Sequence, residues 1–397
     1  MKITKCPICN SNNLKLFLVR KNIPIQLNVI LKDKGSALNF PRGDLELVLC
    51  KNCEFIFNRR FDSSIMNYRD NYDNTQCFSN YFDNYLEEII KYLLNEKKIN
   101  NNKILEIGCG KGQFLKKLIS YTKFNNEGFG LDPTYMGPTN LFEGKLKFEK
   151  RYFTEKDTSL NFDILICSHV IEHISNPKSL LKTIRHSLSN SRKSMIFFET
   201  PSVEWILKNN VIWDFFYEHC SYFSKNSLIN LFLSEGFKIE NISNFFENQY
   251  FWIEASTADK IEEDFIHSGH ILDLVNQYQN SESYIIGKIQ KLTEELASKK
   301  NISIWGAGAK GVTFANLVDP SCSLISYLID INPNKQGHYI PGTGHQIINY
   351  KDIKKYDVDS VILMNQNYFD EIKSLLKQSN INVEVLQWKS DKYEIDY

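Results

Sequence analysis

Apolar residues recur at helical spacing through "FDNYLEEIIKYLLNEKK" (82–98), which predicts an amphipathic helix. A short buried strand follows at Ile104–Ile107, then a glycine-rich turn and a helix from about Gln113, all within "NKILEIGCGKGQFLKKLI". Strand signals return in "EGFGLD" (127–132) and "FDILICSHVIEHISNP" (162–177). A second strand–turn–helix unit begins at Ile302–Trp305, with Gly306 and Gly308 in the turn and a helix from Ala309; the next strand ends at Asp330. Between the two units, residues 257–300 are charged and helical in pattern, as in "IIGKIQKLTEELASKK". The pattern is that of an α/β protein, and 397 residues are too many for one ordinary core, so two or three domains are expected.

Composition narrows the choice of partners. The chain is 42% hydrophobic and 24% charged, with 27 Phe and 20 Tyr to pack against one another or against a ligand. Basic and acidic residues number 47 each, so no excess charge steers the protein to nucleic acid or anionic lipid. No stretch approaches the roughly 20 apolar residues of a membrane span, and "MKITKCPICN" lacks the apolar region of a secretion signal. A cytoplasmic protein with reduced thiols is expected. Two Cys-x-x-Cys pairs, Cys6/Cys9 and Cys50/Cys53, suit a tetrahedral, four-thiolate structural zinc site with no open position for catalysis. The loop between them, "FLVRKNIPIQLNVILKD", can contribute to a substrate mouth.

In the first unit, Gly108, Gly110 and Gly112 let the backbone approach a ligand closely. Glu106 at the strand end suits a cationic amino-acid ligand better than a pyrophosphate, and Asp132 is placed to accept from ribose hydroxyls. His169 and the Glu172-His173 pair follow the next strand, at the edge where open α/β sheets bind ligands.

Together "LEIGCGKG", "GLD" and "FDILICSHVIEHISNP" resemble the successive motifs of class I S-adenosylmethionine-dependent methyltransferases. The resemblance continues through "SMIFFETPS" as a fifth strand and "GFKIENISNFFENQYFWIEAS" as a final antiparallel pair, and it implies a seven-stranded, mostly parallel sheet. The order of modules, with "IWGAGAKGVTFANL" and "YLIDINPNKQGHYIPGT" near the end, is similar to that of the C-methyltransferases of nucleotide-linked 4-keto-deoxysugars. The implied division is a zinc-binding module (1–66), a Rossmann-like methyltransferase core (67–256), a helical connector (257–300) and a C-terminal Rossmann-like, substrate-binding domain (301–397). Read without the family, the C-terminal glycine turn also fits a second dinucleotide site or a purely structural bend.

The resemblance implies S-adenosylmethionine as cofactor, with Glu106, Gly108, Gly110, Gly112, Asp132 and His169 around it. Tyr72 and Gln76, in "YRDNYDNTQCFSNYF", would close over cofactor or substrate. In the family's active-site stretch the order is Tyr-His-Glu-His; here it is Phe216, Tyr217, Glu218, His219, within "WDFFYEHCSYFS". His219 is expected as general base, Glu218 as its partner, and Tyr217 or Tyr222 as a donor to an enolate oxygen, while His173 is expected to be structural. The acceptor is expected to be a small molecule, a nucleotide-linked sugar in the first instance, with no nucleic-acid or membrane partner and a monomer or homodimer as the assembly. O- or N-methylation of another metabolite and an inactive zinc-containing binding protein are the other readings.

Overall fold

The computed structural model describes residues 2–68, 71–188, 194–258, 265–389 and 392–396. Two positions of the Tyr68–Phe82 stretch, 69 and 70, and residues 259–264 of the connector lie outside them.

Three sheets follow one another along the chain. The first holds β1 (Leu14–Pro24), β2 (Arg42–Cys50) and β3 (Ile56–Asn58), joined antiparallel, with a short helix α1 (Lys34–Leu38) in the β1–β2 connection. Helix α2 (Asn80–Lys91) then opens the core. Ser79 caps it by accepting from the Phe82 N–H, and its apolar stripe (Phe82, Tyr85, Leu86, Ile89, Ile90) is buried, as the sequence spacing requires.

The core sheet is built from β4 (Lys103–Ile107), β5 (Glu127–Leu131), β6 (Asn140–Leu141), β7 (Leu146–Glu149), β8 (Ile164–Ser168) and β9 (Met195–Pro201). Helices α3 (Gln113–Ile119) and α4 (Pro177–Ser187) fall between these strands. After β9 come α5 (Val203–Lys208), β10 (Ser221–Tyr222), α6 (Lys225–Ser234), β11 (Phe237–Phe245) and β12 (Tyr250–Thr257). The strand order is β11-β12-β9-β8-β4-β5-β7-β6. Strands β7, β5, β4, β8 and β9 run parallel; β11 and β12 are antiparallel. Seven of these strands are the expected sheet; the two-residue β6 adds an eighth at the β7 edge. Strand order reverses between β4 and β8, the place where such sheets open a crevice at their carboxyl ends.

β10 leaves the core to pair with β3, so the active-site stretch expected from the sequence is bound into the N-terminal sheet. Helix α7 (His270–Ala297) leads to the third sheet, which contains β13 (Ile302–Trp305), α8 (Ala309–Val318), β14 (Ile325–Ile329), β15 (Ile347–Ile348), β16 (Ser360–Leu363), α9 (Phe369–Gln378), β17 (Glu384–Lys389) and β18 (Lys392–Asp396). Its order, β15-β14-β13-β16-β17-β18, again reverses beside the first strand. α8 packs so closely on the β13 turn that a Cβ at Gly311 would meet the Gly306 carbonyl at 1.9 Å. Among the described residues no helix is long and apolar enough to cross a membrane.

The first and third sheets share one apolar cluster with the active-site stretch and α7. Leu45 and Leu47 from β2, Phe215 and Tyr222 from the active-site stretch, Tyr278 from α7 and Ile304 from β13 belong to it. Arg20, buried on β1, pins this junction: it donates to the carbonyls of Ile212 (2.8 Å) and Phe215 (3.1 Å) and pairs with Glu282 of α7 at 2.6 Å.

Candidate active site

The first glycine turn needs the residues it has. Gly108, Gly110 and Gly112 all have positive φ (74°, 53° and 75°), and a Cβ on Gly108 would lie 2.1 Å from the Val170 side chain. The Gly110 N–H donates to Asp132 at 2.9 Å, and the other Asp132 oxygen accepts from the N–H and hydroxyl of Thr134. Glu106 stands at the end of β4, 5% exposed, with Oε2 unpartnered among the described residues. Burial first, and then the Asp132 charge, push its carboxyl up to about 8. A buried, unpaired carboxylate beside left-handed glycines calls for a cationic ligand, so the residues fit the ammonium and ribose of S-adenosylmethionine.

A cavity of about 330 Å³ is lined from the N-terminal module, the core and the C-terminal domain; none of the residues of the first glycine turn lines it, but Val170, which closes on Gly108, follows its lining residue His169. The N-terminal module gives Asn28; the loop before α2 gives Tyr72, Asn74 and Gln76; the core gives His169, Glu172 and His173. The active-site stretch adds Asp214, Phe216, Glu218 and His219, and the C-terminal domain adds Gly306, Gly308, Lys310, Asp330, Asn332 and Lys335.

Glu218 is 1% exposed and held from two sides, by the Leu27 N–H (2.9 Å) and the Tyr72 hydroxyl (3.0 Å). Burial raises its carboxyl above the usual range. His219 presents its ring between Phe216 (4.8 Å between centroids) and His173 (4.7 Å, edge-on). Burial, and then the neighbouring His173, lower it to about 3, so at neutral pH it is an unprotonated imidazole. His173 has its Nδ1 2.9 Å from the Tyr68 hydroxyl and 3.1 Å from the Glu218 carbonyl oxygen. The carbonyl can only accept, so Nδ1 is the donor in that contact.

Behind these residues His169 lies 3.4 Å from both Glu172 and Glu199. Its burial works against protonation, but the two carboxylates outweigh it and its pKa is raised; in return Glu172 is held at about 2, with His169 overcoming its own burial. Tyr85 donates a short hydrogen bond to Glu199.

The structure thus places the expected residues in three groups. Glu106, the three glycines and Asp132 form one cluster at the ends of β4 and β5. His169, Glu218, His219, Tyr72 and Gln76 line the neighbouring cavity; Tyr72 turns to Glu218, and Gln76 accepts from Tyr368 of the C-terminal domain at 2.7 Å. Tyr217 and Tyr222 do not line it. The Tyr222 hydroxyl accepts from the Phe216 N–H (2.7 Å) and donates to the Phe216 carbonyl (3.1 Å), fastening the stretch to itself. Tyr217 accepts from the Asp62 N–H at 3.0 Å and packs its ring over Gly43. As enolate donors both are corrected: their hydroxyls are spent on backbone. Sequence reasoning missed Asp214, Lys310 and Glu199; only Lys310 carried a signal, as the first charged side chain after a ligand-type glycine turn.

At the far side of the N-terminal sheet, Cys6 and Cys53 bring their sulfurs to 3.5 Å and Cys9 and Cys50 to 3.4 Å, with none of the four in a disulfide. All four sulfurs lie within 4.8 Å of one another, and Cys6, Cys50 and Cys53 are buried. Such a thiol set can hold a metal ion.

The core has the Rossmann-like α/β arrangement, and comparison with known proteins is more specific. Residues 78–242 match the family model of a methyltransferase domain, and residues 270–383 match that of the C-methyltransferase C-terminal domain. The chain therefore carries one stretch that matches a methyltransferase domain and, after it, one that matches a C-methyltransferase C-terminal domain. A tRNA U34 carboxymethyltransferase of Campylobacter jejuni is 27% identical over 121 residues, which are 29% of this chain and 40% of that relative's length. Among solved structures, the 1,6-didemethyltoxoflavin-N1-methyltransferase of Burkholderia thailandensis, bound to its namesake and S-adenosylhomocysteine, aligns with 45% of this chain and 81% of its own (TM-score 0.35, 12% identity). Magnesium protoporphyrin IX methyltransferase of Synechocystis PCC 6803 covers 45% and 84% (TM-score 0.34, 13% identity).

Proposed function

We propose that the protein methylates a carbon atom of a small ketone, a nucleotide-linked 4-keto-deoxysugar, with His219 as the general base. The observation that carries this reading is His219 itself: its imidazole lines the cavity, packed against Phe216 and His173, with the buried Glu218 carboxylate next to it in sequence. S-adenosylmethionine supplies the methyl group as an activated sulfonium, and Glu106, Asp132 and the glycine turn would hold it.

The remaining work belongs to the acceptor. A proton next to a ketone can leave for a well-placed base when the oxygen's developing charge is met by a donor. His219 receives that proton. Glu218, fixed by Leu27 and Tyr72, holds the backbone from which His219 projects, and the Glu172 carboxylate favours the imidazolium that forms. Phe216 and Tyr250 give the cavity apolar and aromatic walls that limit water. A nucleotide-linked acceptor is supported by the third sheet, whose glycine turn and first helical residues open onto the same cavity. The four-cysteine cluster fits a structural zinc ion, which would fasten the N-terminal module; metal binding of this kind contributes about 10 kcal/mol of local folding free energy.

Mass spectrometry of nucleotide-linked 4-keto-deoxysugars incubated with protein and S-adenosylmethionine tests the reading. A product heavier by one methylene, lost in His219→Ala while the cofactor still binds, is expected. Undiminished product from that variant would remove His219 from its role.

A further inference from the structure

The cavity contains a base but, in the stretch that supplies it, no obvious partner for the acceptor's oxygen. Phe216 has no donor at all. The hydroxyls of Tyr217 and Tyr222 are held by backbone groups, and that of Tyr72 is given to Glu218. Lys335, at another part of the rim, donates to the Ala307 carbonyl (3.1 Å) and to Asn28 (3.3 Å) and lies 4.0 Å from Asp330.

Lys310 is placed differently. It lies in the first turn of α8 and crosses from the C-terminal domain to the core, donating to Asp214 at 2.7 Å and to Gln249 at 3.2 Å. Its ammonium sits 5.2 Å from the centre of the Trp205 ring. Lys310, Asp214, Gln249 and Trp205 all line the cavity that His219 lines. A lysine ammonium has three donors; Asp214 and Gln249 take two, and among the described residues the third is left to the cavity. Asp214 is 7% exposed, and an anion so buried keeps its charge only beside a cation, so the pair fixes Lys310 in place. A fixed cation in a sheltered cavity is the arrangement that stabilises charge developing on oxygen.

We infer that Lys310, contributed by the C-terminal domain, is the catalytic cation that stabilises the enolate oxygen formed when His219 deprotonates the acceptor. In that step the carbon–hydrogen bond breaks, the proton passes to the His219 ring, and the electron pair moves onto the ketone oxygen facing Lys310. The inference rests on the base assignment above. It also gives the C-terminal domain a part in the chemistry as well as in holding the substrate.

Exchange of the acceptor's α-proton in D2O, followed by NMR without cofactor, reads this step alone. The probe is a nucleotide-linked 4-keto-deoxysugar turned over by the wild type. Lys310→Met is expected to slow exchange at least a hundredfold while the acceptor's Kd changes less than about threefold, the size of effect seen when one oxyanion donor is removed. Lys310→Arg should recover part of the rate. Asp214→Asn, which leaves the ammonium in the cavity, should lose much less than Lys310→Met; thermal melting of each variant shows whether it folds. Weaker acceptor binding with exchange intact in Lys310→Met would make Lys310 a substrate-anchoring residue and overturn the inference, leaving His219 as base. Wild-type exchange in a folded Lys310→Met variant would reduce Lys310 to a domain strut and overturn it too. Wild type that methylates without any exchange would instead sink the base assignment, and this inference with it.

Discussion

At the scale of single residues, two displaced titrations set the pH behaviour. Glu106 keeps its proton up to about 8 when folded, whereas an ordinary glutamic acid loses it near 4.5. Between those values the folded chain holds a proton that the unfolded chain has released, so this group's contribution to stability falls as pH rises through that window. A cationic ligand needs the carboxylate. Cofactor binding is therefore expected to tighten towards pH 8 and to release a proton, measured by calorimetry in buffers of different ionisation enthalpy; Glu106→Gln should abolish the release. His219 is displaced the other way, to about 3 against an ordinary value of 6.5. The unfolded chain binds the proton first, so stability from this residue falls as pH drops from about 6.5 towards 3. Its base form persists through the same range, and the α-proton exchange rate should show no acid limb near pH 6.5. An acid limb near pH 6.5 in the wild type would mean the imidazole is not shielded as described.

Much of this chemistry was legible in the sequence because residue type alone limits what a side chain can do. A glutamate at a strand end before Gly-x-Gly-x-Gly, and a Glu-His pair among aromatics, have few uses. Direction was not legible. Tyr217 and Tyr222 flank the Glu-His pair in sequence, yet their hydroxyls point into backbone, because β10 pairs with β3 and turns that face away from the cavity. Lys310 was passed over because its partner, Asp214, is 96 residues away.

At the scale of elements, the turns carry the specificity. The Gly108 and Gly311 positions admit no side chain, the first against Val170 and the second against the Gly306 carbonyl. Gly311→Ala is expected to destabilise the third sheet by roughly 1–3 kcal/mol, seen as a lower denaturation midpoint. An unchanged midpoint would mean that α8 can slide away from β13. The active-site stretch is held differently, by Arg20 reaching from β1 to two of its carbonyls. Removing one partner of such a buried ion pair typically costs about 3–5 kcal/mol. Arg20→Met should therefore lower the melting temperature and reduce methyl transfer together, although residue 20 does not line the cavity. Strand and helix positions followed from the apolar pattern with little error, since each period must bury one face. The β3–β10 pairing did not, because two residues pairing across some 160 positions leave no periodic trace.

At the scale of the whole molecule, the cavity exists only where three units meet. Asn28 comes from the β1–β2 connection of the N-terminal module, Tyr72 from the loop that follows the module, His219 from the core and Lys310 from the C-terminal domain. Ser79 donates to Glu371 at 2.6 Å and Asn334 donates to Asp73 at 3.2 Å, tying the loop over the cavity to the third sheet. If the cysteine cluster fastens the N-terminal module through zinc, the purified protein should contain one zinc per chain. Cys50→Ser should lose it along with activity, while the core still binds cofactor. Metal content below a tenth of an equivalent in active protein would contradict a structural zinc.

The central claim is that the methyl group goes to carbon. Its most direct test is incubation of the protein with a nucleotide-linked 4-keto-deoxysugar and S-adenosylmethionine labelled with 13C in the methyl group, followed by carbon NMR of the product. The account predicts a labelled methyl coupled to a ring carbon next to the ketone. A labelled methyl bonded to oxygen or nitrogen would contradict it and return His219 to the deprotonation of a hydroxyl or an amine.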